Sequence, residues 1–279
     1  MAIFLIGLND LYQMKVFWIL IPALFFTISI NSQGIRYTKT ENDSLIIYNL
    51  INETHAPLTY AGEKITDLNI SLLDTMLVCP PMDSIVGIFS LPKKIKDENP
   101  DLVLNDLVKT VYTLGRKLNE EEISEVKYEL PFLKGKKYKI MQGFNGKFSH
   151  RSNQSRYAID FALPVGDTIV AARSGYVVNT VSHFTERGGK SFRNKANQIV
   201  VYHDDGTLAF YVHLDTDGVL VNVGDYVNAG DRIGISGFTG YTTKPHLHFV
   251  VRNFRDAIPI EFKENSRIGR KSGVWAKKK

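Results

Sequence analysis

The chain has 279 residues, of which 44% are hydrophobic and 23% charged, so it is long enough for one large or two ordinary folded domains and is not a disordered polymer. A single cysteine, Cys79, excludes an internal disulfide. The formal net charge of +5 is compatible with an anionic partner, such as a cell-wall polymer, nucleic acid or a membrane surface, and does not choose among them.

The N-terminus has the composition of a secretory signal. Lys15 precedes an apolar run over residues 16–30, and polar Asn31, Ser32 and Gln33 follow. We therefore predict a signal peptide over residues 1–32, cleaved after Ser32, with Met14 as the natural start. An uncleaved anchor helix is the alternative, but the run is short for one. We expect export to the periplasm or cell envelope, with no stable membrane insertion after the signal is removed.

The pattern of residues 33–120 predicts a small β-rich N-terminal module. Short β-type runs occupy residues 44–51, 56–59, 71–78 and 85–91, separated by turn-rich pieces. The module has no cluster of candidate ligands, so a scaffold or binding role is expected, with His55 as a loop residue. The charged stretch 118–125 is the expected linker.

The second half of the chain is almost entirely β in pattern. Strands are predicted over residues 168–172, 175–183, 198–203, 207–214, 232–236 and 246–252, and Asp204-Asp205-Gly206 supplies a hairpin turn. The predicted fold class is mainly β, with an antiparallel β-sheet domain over residues 126–262. The remaining residues 263–279 form a basic tail without apolar periodicity, which we expect to be mobile.

Five polar residues are placed by strand alternation or by a nearby loop. Asp160 alternates with apolar Ile159 and Phe161, and His246 and His248 alternate with Leu247 and Phe249. Successive side chains of a strand point to opposite faces, so these polar groups leave the core face. The same alternation places Tyr211 and His213 together on the face away from the apolar residues of their strand. His150 lies ten residues before Asp160, beyond a polar loop.

Four histidines and a carboxylate are hard to explain as core residues. Catalytic zinc sites use three protein ligands and keep one position open for water. Two neutral imidazoles and one carboxylate would leave zinc with a net positive charge, which lowers the pKa of bound water and polarises a substrate carbonyl. Two histidines then remain for proton transfer and oxyanion stabilisation.

Between about Gly143 and Arg252 the sequence resembles the lysostaphin-type zinc metallopeptidases, which cleave peptidoglycan cross-links with a duplicated-hybrid-motif-like catalytic domain. The motifs that carry the resemblance are His150…Asp160-Phe161, Tyr211-Val-His213-Leu214, Gly234-x-x-Gly237-x-Thr239-Gly240 and Pro245-His246-Leu247-His248-Phe249. The resemblance implies that His150, Asp160 and His248 bind one Zn²⁺, and that His213 and His246 are the catalytic pair. It also implies a largely antiparallel sheet with a groove across the metal.

One spacing departs from the family pattern. The family usually places its first histidine and its aspartate four residues apart, whereas His150 and Asp160 are ten apart. A looped-out segment must therefore carry His150 to the metal. The resemblance does not extend to residues 33–125.

Three functions follow as hypotheses. The preferred one is a zinc endopeptidase that hydrolyses stem or bridge peptides of peptidoglycan, with no nucleic-acid partner and an unknown oligomeric state. The alternative is a catalytically inactive relative that binds and regulates a cell-wall amidase. A biotinyl- or lipoyl-like carrier domain ranks last, because no lysine stands at a hairpin tip and the histidines would be unexplained.

Other polar positions have simpler interpretations. His203 stands beside a turn, where histidines are commonly solvated. The charged loop 184–196 is either a wall of the substrate groove or a solvated surface. Tyr211 is expected to pack, and the segment 237–240 to form a turn before the His246–His248 pair.

Overall fold

The protein is mainly β, as the sequence predicts. The computed structural model describes residues 26–32, 34–73, 76–123 and 125–279, with side chains from residue 34 onward. This part of the chain forms 21 strands and two short α-helices. Among the described residues, no helix has the length and apolar character needed to cross a membrane.

The N-terminal module contains two antiparallel sheets. Their elements are β1 (Phe26–Ser32), β2 (Ile35–Glu41), β3 (Leu45–Asn52), β4 (Leu58–Lys64), β5 (Ser71–Leu72), β6 (Leu77–Cys79), β7 (Asp83–Pro92), α1 (Lys93–Glu98), α2 (Leu104–Leu107) and β8 (Val108–Leu114). One sheet has the order β1-β2-β3-β7-β5 and the other β6-β4-β8. Alternating residues such as Leu50, Tyr60 and Leu91 are fully buried between them, which gives the module a core of its own. The predicted strand over residues 71–78 is instead two short strands, one in each sheet.

The predicted signal peptide lies mostly outside the described residues. Its last seven residues form β1, which pairs with β2 at the edge of the five-stranded sheet. Cleavage after Ser32 would remove this edge strand and leave β2 as the edge. The signal peptide therefore stays a prediction.

The second half forms an eleven-stranded antiparallel sheet, called here the large sheet. The strands of this half are β9 (Lys137–Gln142), β10 (Ile159–Phe161), β11 (Thr168–Val170), β12 (Gly175–Val181), β13 (Arg187–Gly188), β14 (Asn197–Tyr202), β15 (Leu208–Val219), β16 (Tyr226–Val227), β17 (Arg232–Ser236), β18 (Gly240–Tyr241), β19 (Leu247–Asn253), β20 (Asp256–Ala257) and β21 (Trp275–Lys277). The order β16-β12-β14-β15-β19-β10-β9-β21 is completed by β11, β17 and β20, while β13 and β18 pair separately and in parallel. The hairpin predicted at residues 204–206 joins β14 to β15.

The large sheet has one apolar face and one mixed face. Ile159, Tyr211 and Phe249 lie side by side in adjacent strands and are completely buried in the core. The next residues along two of these strands, Asp160 and His248, are directly opposite each other and point away from that core. The two-residue period therefore separates the polar cluster from the packing face.

The N-terminal module docks on the mixed face of the large sheet. Ala56 packs with Val178, Val200 and Leu208, all buried. The first residue of the predicted linker is bound to the large sheet. The main chain of Leu118 forms two 2.9 Å hydrogen bonds with the side chain of Asn253 in β19. The rest of the linker includes a 3-10 turn over Glu120–Glu122.

The prediction of a mobile C-terminal tail is wrong. Strand β21 pairs with β9, and Ala276 is fully buried between exposed Trp275 and Lys277. The Nζ atom of Lys278 donates to the carbonyl oxygen of Leu130 at 3.0 Å. A three-residue strand is too short for its alternation to be recognised in sequence, and its partner lies far away along the chain.

Candidate active site

Asp160 and His248 form the centre of the polar cluster. They are directly opposite residues of neighbouring antiparallel strands, β10 and β19, so their side chains share a face. The His248 Nδ1 atom lies 2.8 Å from Asp160 Oδ1. The predicted orientation of both residues, opposite to Ile159 and Leu247, is confirmed by the structure.

A closed loop brings His150 to the same carboxylate despite the long spacing. The amide of Arg156 donates to the Ser152 carbonyl at 2.8 Å, and the amide of Asn145 donates to the Arg156 carbonyl at 2.6 Å. These bonds fold the extra residues back on themselves. His150 is fully buried, its Nδ1 donates to the Gly143 carbonyl at 2.9 Å, and its Nε2 lies 3.2 Å from Asp160 Oδ1.

These three side chains could hold a metal ion. Each of His150, Asp160 and His248 offers one ligand atom, and all three atoms lie within 4.8 Å of one another. Burial alone would raise the pKa of the Asp160 carboxyl, but its hydrogen bonds with His150 and His248 outweigh burial and hold that pKa well below its usual range. Asp160 therefore stays an anion between imidazoles.

His213 reaches the cluster through a β-bulge. Val212 pairs with Gln198 and Leu214 with Asn197, so His213 is an extra residue in β15. Its φ of 69° lies in the left-handed region, which non-glycine residues rarely adopt outside special sites. This backbone turn redirects the imidazole, whose centroid lies 4.7 Å from that of His246 and 5.9 Å from that of His248.

The prediction that Tyr211 shares a face with His213 is wrong. Tyr211 is fully buried in the core against Phe249, and its hydroxyl accepts a 2.8 Å hydrogen bond from the amide of Ala172. The bulge breaks the alternation between the two residues, which is why a strict two-residue period gave the wrong face. The expectation that Tyr211 packs is confirmed.

His246 and His213 are held in the same tautomer. His246 Nδ1 donates to the Lys244 carbonyl at 2.8 Å, and His213 Nδ1 donates to the Thr239 carbonyl at 2.7 Å. A carbonyl only accepts, so each ring keeps Nε2 as its free acceptor. Burial, reinforced by the neighbouring imidazoles of His246 and His248, lowers the pKa of His213 to about 3 and keeps it neutral.

Gln142 is a site residue that the sequence interpretation missed. Its Nε2 donates to Asp160 Oδ2 at 3.1 Å and to Ser149 Oγ at 2.8 Å, while its Oε1 accepts from the amide of Phe148 at 2.9 Å. It therefore connects the carboxylate with the loop that carries His150. The available signal was alternation in β9, where Gln142 is the third buried position and the only polar one.

His203 lies apart from this cluster and is not solvated. It is fully buried, and its Nδ1 donates to the Ser174 carbonyl at 2.8 Å. Burial lowers the pKa of His203 to about 4, so the ring is neutral. The expectation of a solvated turn histidine is wrong because the β14–β15 turn packs against Tyr128.

The loop over residues 184–196 packs against the segment that precedes His246. Its strand β13 pairs with β18, and the Arg187 guanidinium lies 4.1 Å from the centre of the Phe238 ring. Arg193 lies 5.3 Å from the ring centre of Tyr241, which in turn stacks on Phe148 at 6.0 Å. The charged side chains of this loop are exposed, and both interpretations of it stay predictions.

Comparison with known proteins identifies the domain that contains most of the site. Residues 154–260 match the model of peptidase family M23. Lysostaphin of Staphylococcus staphylolyticus is 37% identical over 124 residues, 42% of this chain and 24% of that protein. The peptidoglycan DD-endopeptidase ShyA of Vibrio cholerae is 37% identical over 90 residues, 32% of this chain and 18% of that protein.

A relative with a different role also matches. The murein hydrolase activator NlpD of Salmonella dublin is 33% identical over 114 residues, 41% of this chain and 26% of that protein. The chain thus spans about a quarter or less of the length of each of these three relatives. The matched family segment includes Asp160, His213, His246 and His248 and begins just after His150.

Proposed function

We propose that this chain, whose residues 154–260 form a peptidase family M23 domain, is a zinc-dependent endopeptidase that hydrolyses peptide cross-links of peptidoglycan. The observation that carries the proposal is the convergence of His150, Asp160 and His248 on one point, with the His213–His246 pair beside them. Peptidoglycan lies outside the cytoplasm, so we infer export to the periplasm or cell envelope, directed by residues 1–32.

The donor set suits one zinc ion. His150, Asp160 and His248 supply two imidazoles and one carboxylate, the ligand types of catalytic zinc sites. The Gly143 carbonyl binds Nδ1 of His150, so the ring presents Nε2 as its ligand atom beside Asp160, and Gln142 orients the carboxylate through Oδ2. Zinc bound there would act as a Lewis acid, which polarises the scissile carbonyl and makes water acidic enough to attack it.

His213 and His246 would move the protons. Each keeps Nε2 free, so either can accept a proton from the attacking water. A ring that has become protonated can then donate to the oxyanion of the tetrahedral intermediate or to the departing amine. Their rings are 4.7 Å apart between centroids, close enough to act on one substrate carbonyl.

The names of two relatives support the substrate class, since ShyA is a peptidoglycan endopeptidase and NlpD a murein hydrolase activator. The activator is the basis of the second candidate function, a regulator that binds a wall amidase without cleaving. All five residues of the proposed site are present in this chain, which favours the enzyme.

The test combines zinc content with release of muropeptides from purified sacculi, for the wild-type chain and for His248→Ala. About one zinc per chain and new uncross-linked fragments, both lost in the variant, would support the proposal. Intact sacculi after incubation with zinc-loaded protein would contradict it. Stimulation of a purified amidase by that same preparation would then favour the regulator.

A further inference from the structure

The segments that border the proposed site carry an excess of positive charge. They are residues 144–157, which include His150, residues 184–196, and residues 237–246, which lead to His246. Together they contain eight lysines and arginines and one acidic residue, Glu186. In the described part of the chain, none of these eight forms an ion pair.

Several basic side chains elsewhere in the same half of the chain do have acidic partners. Arg173 pairs with Asp205 at 2.6 Å, and Lys278 pairs with Glu129 at 3.1 Å. The eight cations of the three segments that border the site have no such partner in the described part of the chain. Asp160 does not neutralise them, because that buried carboxylate is already shared by three imidazoles.

Two of these cations are held beside the catalytic histidines. Arg187 stacks on Phe238 and Arg193 on Tyr241, and both rings flank Thr239, whose carbonyl accepts the hydrogen bond from His213. Stacking on an aromatic ring restricts a guanidinium and leaves its in-plane donors available. A guanidinium presented in this way is suited to bind a carboxylate through two parallel hydrogen bonds.

We propose that the site selects peptides that carry a free carboxylate near the scissile bond, and that Arg187 and Arg193 recognise this group. The inference rests on the proposed function and narrows its substrate to acidic stem-peptide cross-links, in preference to amidated stems or a neutral glycine bridge. The amide form of such a peptide offers one neutral carbonyl oxygen, so it loses the second parallel hydrogen bond and the charge–charge attraction that a carboxylate makes with arginine.

The experiment measures binding, so that it does not depend on turnover. Two synthetic cross-linked stem peptides of identical sequence, one with a free carboxylate and one with a carboxamide, are titrated against the zinc-loaded His213→Ala full-length protein. We expect the carboxylate form to bind about tenfold more tightly at low salt and the preference to shrink at 0.5 M salt, where the screening length is only a few ångströms. Equal dissociation constants at low salt would overturn the inference.

Single substitutions test whether Arg187 and Arg193 cause the preference for the carboxylate peptide. Arg193→Gln should reduce the preference for the carboxylate by up to about fivefold, and Arg187→Gln by a similar factor. Arg193→Lys keeps the charge but lacks the guanidinium's parallel donors, so it should retain only part of the preference. Arg36→Gln removes the same charge from β2 of the N-terminal module and should leave it unchanged. An equal loss in Arg36→Gln would show that overall charge is responsible and would overturn the assignment.

Failure of the inference is distinguishable from failure of the proposed function. Cleavage of both peptides with equal kcat/KM, together with equal binding, would remove the carboxylate preference and leave the endopeptidase intact. A clear binding preference without cleavage by the wild-type protein would support carboxylate recognition and contradict the proposed hydrolysis.

Discussion

His213 Nδ1 lies 2.7 Å from the carbonyl oxygen of Thr239, and His213 occupies the bulge of β15. The bulge turns the ring toward His246, and the hydrogen bond fixes the tautomer that leaves Nε2 unprotonated. A strained backbone at this residue thus coincides with a group that the proposed reaction needs in one orientation.

Removal of the His213 imidazole should strongly slow catalysis without removing the metal. His213→Ala should lower kcat about 10²- to 10⁴-fold, the range expected for loss of a general acid-base group. Zinc content, measured by atomic emission, should stay near that of the wild type. His183→Ala, at an exposed histidine two residues after β12, is the matched control. Full activity of His213→Ala would contradict its role.

The two histidines of the 246–248 pair should differ in their effect on zinc. His248→Ala should lose zinc and activity together, because its Nδ1 lies at the shared Asp160 oxygen. His246→Ala should lose activity and keep zinc, since the three ligand atoms remain. Zinc binding by each variant is measured by titration against a chromophoric chelator. Equal zinc loss in both variants would show that the ligand set has been assigned wrongly.

Gln142 should increase the affinity for zinc indirectly, through its hydrogen bond to the Asp160 carboxylate. Gln142→Ala removes the donor to Asp160 Oδ2 and the acceptor for the amide of Phe148, so zinc affinity should fall about 10- to 100-fold. Chelator competition gives the dissociation constant. Gln198→Ala removes a glutamine that bonds only weakly to Asn179 and should leave the zinc affinity unchanged. An unchanged constant in Gln142→Ala would assign Gln142 a purely structural role.

His203 should make stability depend on pH. Its pKa is about 4 in the folded protein and near 6.5 when unfolded, so the unfolded chain binds the extra proton between these values. The neutral His203 ring contributes up to about 3 kcal/mol to the free energy of unfolding. This contribution is complete above pH 6.5 and is lost as the pH falls toward 4.

The matched measurement is the free energy of unfolding of wild type and His203→Gln in urea at several pH values with chelator present. The difference between the two proteins should change with a slope near 1.4 kcal/mol per pH unit between pH 4 and 6.5. A difference that stays constant over this range would show that His203 does not titrate as its burial implies.

Removal of the N-terminal module should destabilise the large sheet and should not increase activity. A chain that begins at Lys127 exposes Val178, Val200 and Leu208. The loss of this apolar burial should lower the free energy of unfolding by a few kcal/mol, roughly. The module contacts β15 at Leu208, opposite Arg252, whereas the site lies four residues along at Val212 and His248. The shortened chain is compared with the full chain in urea unfolding and in sacculus digestion. Greater specific activity would instead show that the module blocks the groove.

Much of the site was predictable because it depends on local alternation. Asp160 and His248 each stand between two apolar residues, so the strand period alone places them on the face away from the core residues Ile159 and Phe249. The failure at Tyr211 has an equally local cause. A single bulged residue interrupts the alternation of side chains between the two faces of the strand. No residue in that segment is of a type that commonly adopts a positive φ.

The sequence by itself determined the mainly β class, the motif residues and the chemistry that their side chains can perform, because these follow from residue type and from the two-residue period of a strand. Only the tertiary structure decided how a ten-residue spacing brings His150 to Asp160, which histidine is buried away from the site, and that residues 275–277 complete the sheet. It also placed Gln142 behind the carboxylate. Each of these depends on hydrogen bonds or packing between segments distant in sequence, and such contacts leave no periodic signal in the chain.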